Sequence, residues 1–340
     1  GRRSRTTCGV TEPDPYIQWA ADAGVGAVGD TINSVPTTSY TTLNPGIVLV
    51  NTTDSDLSTP NASFTTQFFG DSLWVWSTAT AGTKKLIRIR YVGVTAVEAI
   101  GYSLPVEAST AYNRLAQLML PNGVMVSAYP ATTGASGSIG VMVFKPSTET
   151  ALQVNIPHDV QTYVYAGYVS PLSGNPVFLV RTTSGIVNAV EIDKDAGTMV
   201  SSTATTFPVG VDVASVAYHQ PTGKLFATTS APTLYVLDPA TLVATDVGTL
   251  PKVADSIIVV PTGKLFLTTP DVQNIYTTRV VVVDPVTYVQ TNVQAQLSTS
   301  DTEIRASVPS LSSDGYVFYT GGARLLWVDY TTLAANVNAI

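Results

Sequence analysis

The stretch from Val213 to Leu250, VASVAYHQPTGKLFATTSAPTLYVLDPATLVATDVGTL, constrains the fold more than any other part of the chain. It holds four apolar, β-branched runs, each closed by a turn signal, which is the pattern of a four-stranded antiparallel sheet. The first turn is Pro221-Thr222-Gly223-Lys224, where proline presets φ and glycine supplies a positive φ. A later one is Asp238-Pro239-Ala240-Thr241, where the aspartate side chain caps the turn and the proline fixes its corner. The following stretch repeats the pattern with Pro261-Thr262-Gly263-Lys264-Leu265-Phe266 and then Val283-Asp284-Pro285-Val286-Thr287. One such sheet cannot bury both of its faces, so a chain built this way has to stack its sheets.

The same signals recur elsewhere. Residues 112–157 carry Pro121-Asn122-Gly123 and Val143-Phe144-Lys145-Pro146-Ser147-Thr148, and residues 162–208 carry Leu172-Ser173-Gly174-Asn175 and Val190-Glu191-Ile192-Asp193. Residues 304–340 carry Ser313-Asp314-Gly315-Tyr316 and Trp327-Val328-Asp329. In residues 63–105 the turn is Phe69-Gly70-Asp71-Ser72, and a later run places Arg88 and Arg90 on one strand face with Ile87 and Ile89 on the other. Residues 16–60 read as a degenerate first unit. Aligned on the late turn, the opening residues are Asn51, Arg90, Lys145, Asp193, Asp238, Asp284 and Asp329, which are 39 to 55 residues apart and about 46 on average. Four short strands and their turns fill such a period, and seven periods fill the chain. The expectation is an all-β, seven-bladed β-propeller of four-stranded antiparallel blades, a single domain over 16–340 behind a basic arm at 1–15. Its last strand, within 333–340, is expected to pair with Thr6 to Thr11 or with another subunit, with Cys8 beside that interface.

Composition excludes several function classes. The formal net charge of −7 argues against nucleic-acid binding, which draws its affinity from neutralising phosphates. No apolar run approaches the roughly 18 residues of a membrane-spanning helix, so no membrane span is expected. Charged residues make up 12% of the chain against about 25% in an average protein, leaving hydroxyl side chains to face solvent on the strands. The chain opens Gly-Arg-Arg-Ser-Arg, so Arg2, Arg3 and Arg5 form the basic arm. Gly24 to Asp30 fits GxGxxG, but the β-branched run and Pro36 that follow cannot start the helix that holds a pyrophosphate, so no dinucleotide is expected there. The Ala131 to Ser138 segment reads as a loop.

The turn and strand pairs above resemble the YVTN and lactonase-like family of propellers, whose repeats run from a (D/P)xxGxLY turn into a (V/L)xVxDxxT turn. The resemblance is good over 213–334, fair over 112–208 and poor before that. It implies a propeller fold and a range of roles among members: sugar-lactone hydrolases, quinoprotein subunits, surface-layer proteins and interaction scaffolds. Its catalytic members rely on metal-binding carboxylates and amides that converge on a central channel.

Local catalytic signals are scarce. The two histidines, His158 and His219, have no metal-binding spacing, and no metal or cofactor is expected. Gly134 to Ser138 misses the spacing of a nucleophile elbow. Asn51 and Asn61 open glycosylation motifs. The residues expected to line the channel rim and bind a ligand are Asn113, Arg114, His158, Asp159, Asp212, Asp255, Glu303 and Arg305. Their mixed charge suits ion pairs better than a calcium cage. The functional expectation is a non-catalytic structural or binding module on an exterior surface, extracellular or on a virion or filament, acting through protein partners, self-assembly or a glycan. The alternative is a metal-dependent hydrolase or lyase with its site in the channel.

Overall fold

The computed structural model describes residues 48–49, 64–69, 72–77, 85–92, 96–103, 116–130, 137–145, 147–148, 150–159, 164–270, 277–296, 310–311, 316–321, 324–333 and 335–339. Every regular element among them is a strand. Strand β1 is Val48–Leu49. Blade 2 comprises β2 (Phe64–Phe69), β3 (Ser72–Ser77), β4 (Lys85–Val92) and β5 (Ala96–Ser103). Blade 3 comprises β6 (Ala116–Met119), β7 (Met125–Pro130), β8 (Ser138–Lys145) and β9 (Thr150–Pro157). Blade 4 comprises β10 (Val164–Val169), β11 (Pro176–Arg181), β12 (Val187–Ile192) and β13 (Met199–Ala204). Blade 5 comprises β14 (Val213–His219), β15 (Lys224–Thr229), β16 (Thr233–Leu237) and β17 (Ala244–Thr249). Blade 6 comprises β18 (Ser256–Val259), β19 (Leu265–Pro270), β20 (Thr277–Val283) and β21 (Gln290–Gln296). Blade 7 comprises β22 (Ser310–Leu311), β23 (Tyr316–Gly321), β24 (Arg324–Asp329) and β25 (Ala335–Ala339). In each blade the four strands follow one another in sheet order, and β1 adds to blade 2 beyond β5. The chain is therefore a succession of four-stranded meanders, as the repeat requires.

By compactness the strands fall into two units, one holding blades 3, 4, 5 and most of blade 6, the other holding blades 2 and 7. In the first unit, burial is greatest in the middle strands of a blade and falls at the last strand. Strand β8 is buried along six consecutive residues and β11 along five, whereas all of β13 is exposed. Inner strands thus face apolar neighbours on both sides, which explains their continuous Val, Ile, Leu and Phe runs, while β13 reads Met-Val-Ser-Ser-Thr-Ala. Three apolar clusters join successive blades. Val126, Ile139 and Val141 of blade 3 pack with Phe178 and Val190 of blade 4. Leu179 and Ala189 pack with Leu225 and Tyr235 of blade 5. Phe226 and Leu234 pack with Ile257 and Leu267 of blade 6. Complete burial of a phenylalanine such as Phe226 is worth about 3 kcal/mol. Gly140 lies opposite Tyr129 in the β7–β8 register, and a Cβ there would stand 2.3 Å from the ring, so the aromatic lies across a glycine that no other residue can replace.

The first hairpin turns of blades 3 to 6 place Gly123, Gly174, Gly223 and Gly263 at φ between 65° and 83°, as the Pro-x-Gly signals predict. The late turns of blades 4 to 7 share one geometry. In each, the opening aspartate accepts the N–H groups two and three residues on: Asp195 and Ala196 for Asp193, Ala240 and Thr241 for Asp238, Val286 and Thr287 for Asp284, Thr331 and Thr332 for Asp329. The N–H four residues on closes onto the aspartate carbonyl at 2.8 Å in all four. Those N–H donations hold the Asp193, Asp238 and Asp284 carboxyls below the usual range. For Asp329 burial pushes the other way, and the Thr332 and Thr331 N–H groups overcome it.

Two expectations need correction and several fall elsewhere. Arg90 does not open a turn: it lies inside β4, paired with Glu98 of β5, and the strand runs on to Val92. The only aspartate of blade 2, Asp71, precedes β3, so no aspartate marks the late turn and a charged residue on a strand face aligns with the turn aspartates instead. Val48–Leu49 does not sit in a separate first-unit sheet but pairs in parallel with Ala96 and Val97 of blade 2. The remainder of residues 16–60, the arm at 1–15, Cys8 with its expected pairing, and Ala131 to Ser136 lie outside the described residues.

Candidate functional site

Polar side chains gather where the chain crosses from one blade to the next. The turn between β11 and β12, Thr182-Thr183-Ser184-Gly185-Ile186, stands between two such crossings. From the crossing before it, the Asp159 carboxylate accepts the Thr183 hydroxyl at 2.8 Å and the Thr183 N–H at 3.3 Å. On the other side, Arg181 at the end of β11 donates Nη1 to the Gly210 carbonyl at 2.9 Å and pairs with Asp212 at 3.0 Å. The Gly210 N–H donates to the Gly185 carbonyl at 2.9 Å. Gly185 has φ +83°, and a Cβ on it would lie 3.1 Å from the Gly210 nitrogen, so the close approach of turn and crossing requires glycine there. Inside the turn Thr182 is buried and bonds Ser184 Oγ and the Ile186 carbonyl, leaving Thr183, Ser184 and Ile186 exposed on a rigid loop.

His158 begins the same earlier crossing. Its Nδ1 lies 2.9 Å from the Asp159 carbonyl and its Nε2 2.9 Å from Ser202 Oγ on the outer strand β13. Asn188 of β12 donates Nδ2 to the same Ser202 Oγ at 3.3 Å. Of the residues expected at the rim, the structure thus brings His158, Asp159 and Asp212 to the two flanks of blade 4. Asp255 stands apart, before β18, with its N–H donated to the Thr268 carbonyl at 2.9 Å. Asn113, Arg114, Glu303 and Arg305 lie outside the described residues. His219 is a different kind of residue: buried at the end of β14, it is 2.8 Å from Thr222 Oγ1 and 2.9 Å from the Gly263 carbonyl of the next blade. Arg181, Thr183, Asn188 and Ser202 had no sequence signal beyond the Thr-Thr-Ser-Gly turn. Among the described residues no three His, Cys, Asp or Glu side chains cluster so as to hold a metal ion. No helix among them is long and apolar enough to cross a membrane.

Neither a protein-family model nor a curated protein matches the chain. Solved structures do. The extracellular domain of the putative one component system BT4673 from B. thetaiotaomicron matches 82% of this chain at 13% identity and a TM-score of 0.53, and the match spans 36% of that longer chain. A putative 6-phosphogluconolactonase from Bacteroides uniformis matches 82% of this chain and 85% of its own length, at 11% identity and a TM-score of 0.53. The fold is that of a β-propeller. The resemblance to YVTN and lactonase-like propellers accordingly holds at the level of fold.

The expectation of a non-catalytic structural or binding module is corrected by these neighbours, because the propeller matched over nearly its whole length is described as a lactonase. That expectation rested on the lack of a local catalytic motif. In this fold polar contacts join residues far apart in sequence, here 24 and 44 positions, and no short motif has to mark them.

Proposed function

We propose that the protein is a β-propeller hydrolase working outside the cytoplasm on an uncharged sugar lactone. The observation that carries this reading is the match over 82% of this chain and 85% of a chain described as a putative 6-phosphogluconolactonase. The extracellular domain among the neighbours supports the location. The blade 4 crossings supply the kind of surface the substrate calls for: exposed hydroxyls of Thr183 and Ser184 on a rigid turn, flanked by Asp159 and Asp212. We assign His158, Asp159 and Asp212 to ligand contact. An uncharged lactone is favoured over a phosphorylated one because Arg181 is already engaged by Asp212 and the Gly210 carbonyl, and the chain carries a net charge of −7. Hydrolysis adds water across the ring ester and releases a carboxylic acid, so it can be followed by base uptake at constant pH. The purified chain is expected to accelerate opening of glucono-δ-lactone above the spontaneous rate and to leave the 6-phosphorylated lactone unaffected. Acceleration of the phosphorylated lactone alone would reassign the substrate; acceleration of neither would overturn the reading.

A further inference from the structure

We infer that Ser202 is an activated nucleophile, with His158 as its general base, at the seam between blades 3 and 4. The argument is independent of lactone hydrolysis and rests on the direction of each hydrogen bond. A carbonyl oxygen can only accept, so the contact between His158 Nδ1 and the Asp159 carbonyl places a proton on Nδ1. In the neutral imidazole the lone pair is then on Nε2, and the Ser202 hydroxyl 2.9 Å away must donate to it. The Asn188 amide donates to the same oxygen from the other side, a contact that strengthens as negative charge develops there. The chain of donors therefore runs from Asn188 through Ser202 and His158 to the Asp159 carbonyl, the polarity of a base-activated serine.

The supporting groups are held in place. Asp159 is fixed through its carboxylate by Thr183, which sets the carbonyl that orients the ring. Ser202 lies opposite Val190 in the β12–β13 register, and Val190 belongs to the apolar cluster shared by blades 3 and 4, which aims Ser202 at the seam. Ser202 is exposed and His158 half-buried, so a reagent can reach the oxygen. The chemistry this arrangement suits is acyl or phosphonyl transfer. Ser202 Oγ bonds to the electrophilic carbon or phosphorus, its proton passes to His158 Nε2, and the leaving group departs with the electron pair of the broken bond. His158 gives that proton up to the leaving group or to solvent; for an acyl group, water then attacks the ester carbon, its proton passing to His158 Nε2 and from there to Ser202 Oγ as the acyl–oxygen bond breaks, which releases the acid and restores the serine. The ligand class is an uncharged ester with a good leaving group.

The test uses the full chain and a fluorophosphonate probe, with adducts mapped by peptide mass spectrometry. The expected result is a phosphonyl adduct on Ser202 with loss of fluoride, absent in Ser202→Ala and unchanged in Ser201→Ala. The labelling rate should fall about 100-fold in His158→Gln, the scale of general-base assistance, and at least about tenfold in Asn188→Ala. In a Cys8→Ser background, which removes the competing thiol, p-nitrophenyl acetate should release p-nitrophenol faster than the buffer blank, with the excess lost in Ser202→Ala and in His158→Gln. A structural serine would give no excess that both substitutions remove. Absence of label on Ser202, label on another serine instead, or equal rates with His158→Gln in a variant that keeps the native β-sheet circular dichroism would each overturn the inference.

Discussion

The hairpin turns and the blade crossings differ in how they are built. Four late turns repeat one geometry, an aspartate accepting two N–H groups and a fifth residue closing onto its carbonyl at 2.8 Å. The crossings share no geometry. The first is tied by His158 to Ser202 and Asp159 to Thr183, the second by Arg181 to Asp212, and in blades 5 and 6 Ser215 Oγ accepts the Ile257 N–H at 3.1 Å. Turns are local, so a short sequence signal suffices and repeats with the blade. Crossings join residues of different blades, so each seam finds its own solution. It is on the crossings that chemistry can diverge while the sheet stays the same.

The sharpest way to break this comparison is at the fifth turn position. Gly197 occupies it in blade 4 with φ 69°, but Leu242, Tyr288 and Leu333 stand there at 56°, 59° and 62°, where a side chain carries strain. Leu242 is 8% exposed and packs in the cluster between blades 4 and 5, whereas Tyr288 is 37% exposed. The same substitution should therefore have opposite signs. Leu242→Gly loses a buried side chain and should destabilise by about 3 kcal/mol, while Tyr288→Gly should stabilise by about 0.5 to 1 kcal/mol through relief of strain. Denaturant melts of both variants decide it. Destabilisation by both would mean that the turn positions are not interchangeable.

His219 is the next largest expected effect, a turn contact that reaches across a seam. Its Nε2 must donate to the Gly263 carbonyl, and its Nδ1 then accepts from Thr222. His219→Ala removes both bonds and a buried ring lying edge-on to Phe226 at 6.0 Å. A loss of about 2 kcal/mol is expected in equilibrium unfolding. A change within a few tenths would show that the His219 contacts contribute nothing to holding blades 5 and 6 together.

Much of the fold was legible because turn chemistry and apolar runs are local. The four turn aspartates from Asp193 onward align in the sequence as the structure places them. Arg90 fails because no aspartate stands after β3 in blade 2 to fix the late turn, so a strand residue takes its place. The site was legible only in its charged members. His158, Asp159 and Asp212 stand out in a chain with few charges, whereas Ser202, Thr183 and Asn188 are common residues whose partners lie 44, 24 and 14 positions away. No local signal marks such pairs, since they depend on strand register within blade 4 for Asn188 and on how the crossing meets blade 4 for the other two.

A smaller effect is expected where Arg181 joins β11 to the second crossing. The pair is partly exposed, with side chains 21% and 33% accessible, so Arg181→Gln should cost about 0.5 to 1 kcal/mol. Raising salt to about 1 M should erase most of the difference between the two proteins, because screening at that ionic strength acts within about 3 Å. A loss that persists at high salt would show that the bond from Arg181 to the Gly210 carbonyl, and not the ion pair, holds the crossing.

The smallest effect returns to the turns and concerns acid. Asp193, Asp238 and Asp284 are held below their usual carboxyl value of 3.8 by donated N–H groups. In the unfolded chain the same carboxyls regain the ordinary value and take up protons first as pH falls. Their contribution to stability is therefore complete above about pH 4 and is lost as pH drops through the depressed native values. Asn can accept the same N–H groups through its side-chain oxygen without titrating, so Asp238→Asn and Asp284→Asn should keep the melting temperature at pH 7 and flatten its decline below pH 4. Melting curves between pH 2 and pH 7 separate the cases. An acid limb left as steep as the parent's in both variants would mean that the turn carboxylates do not carry the decline.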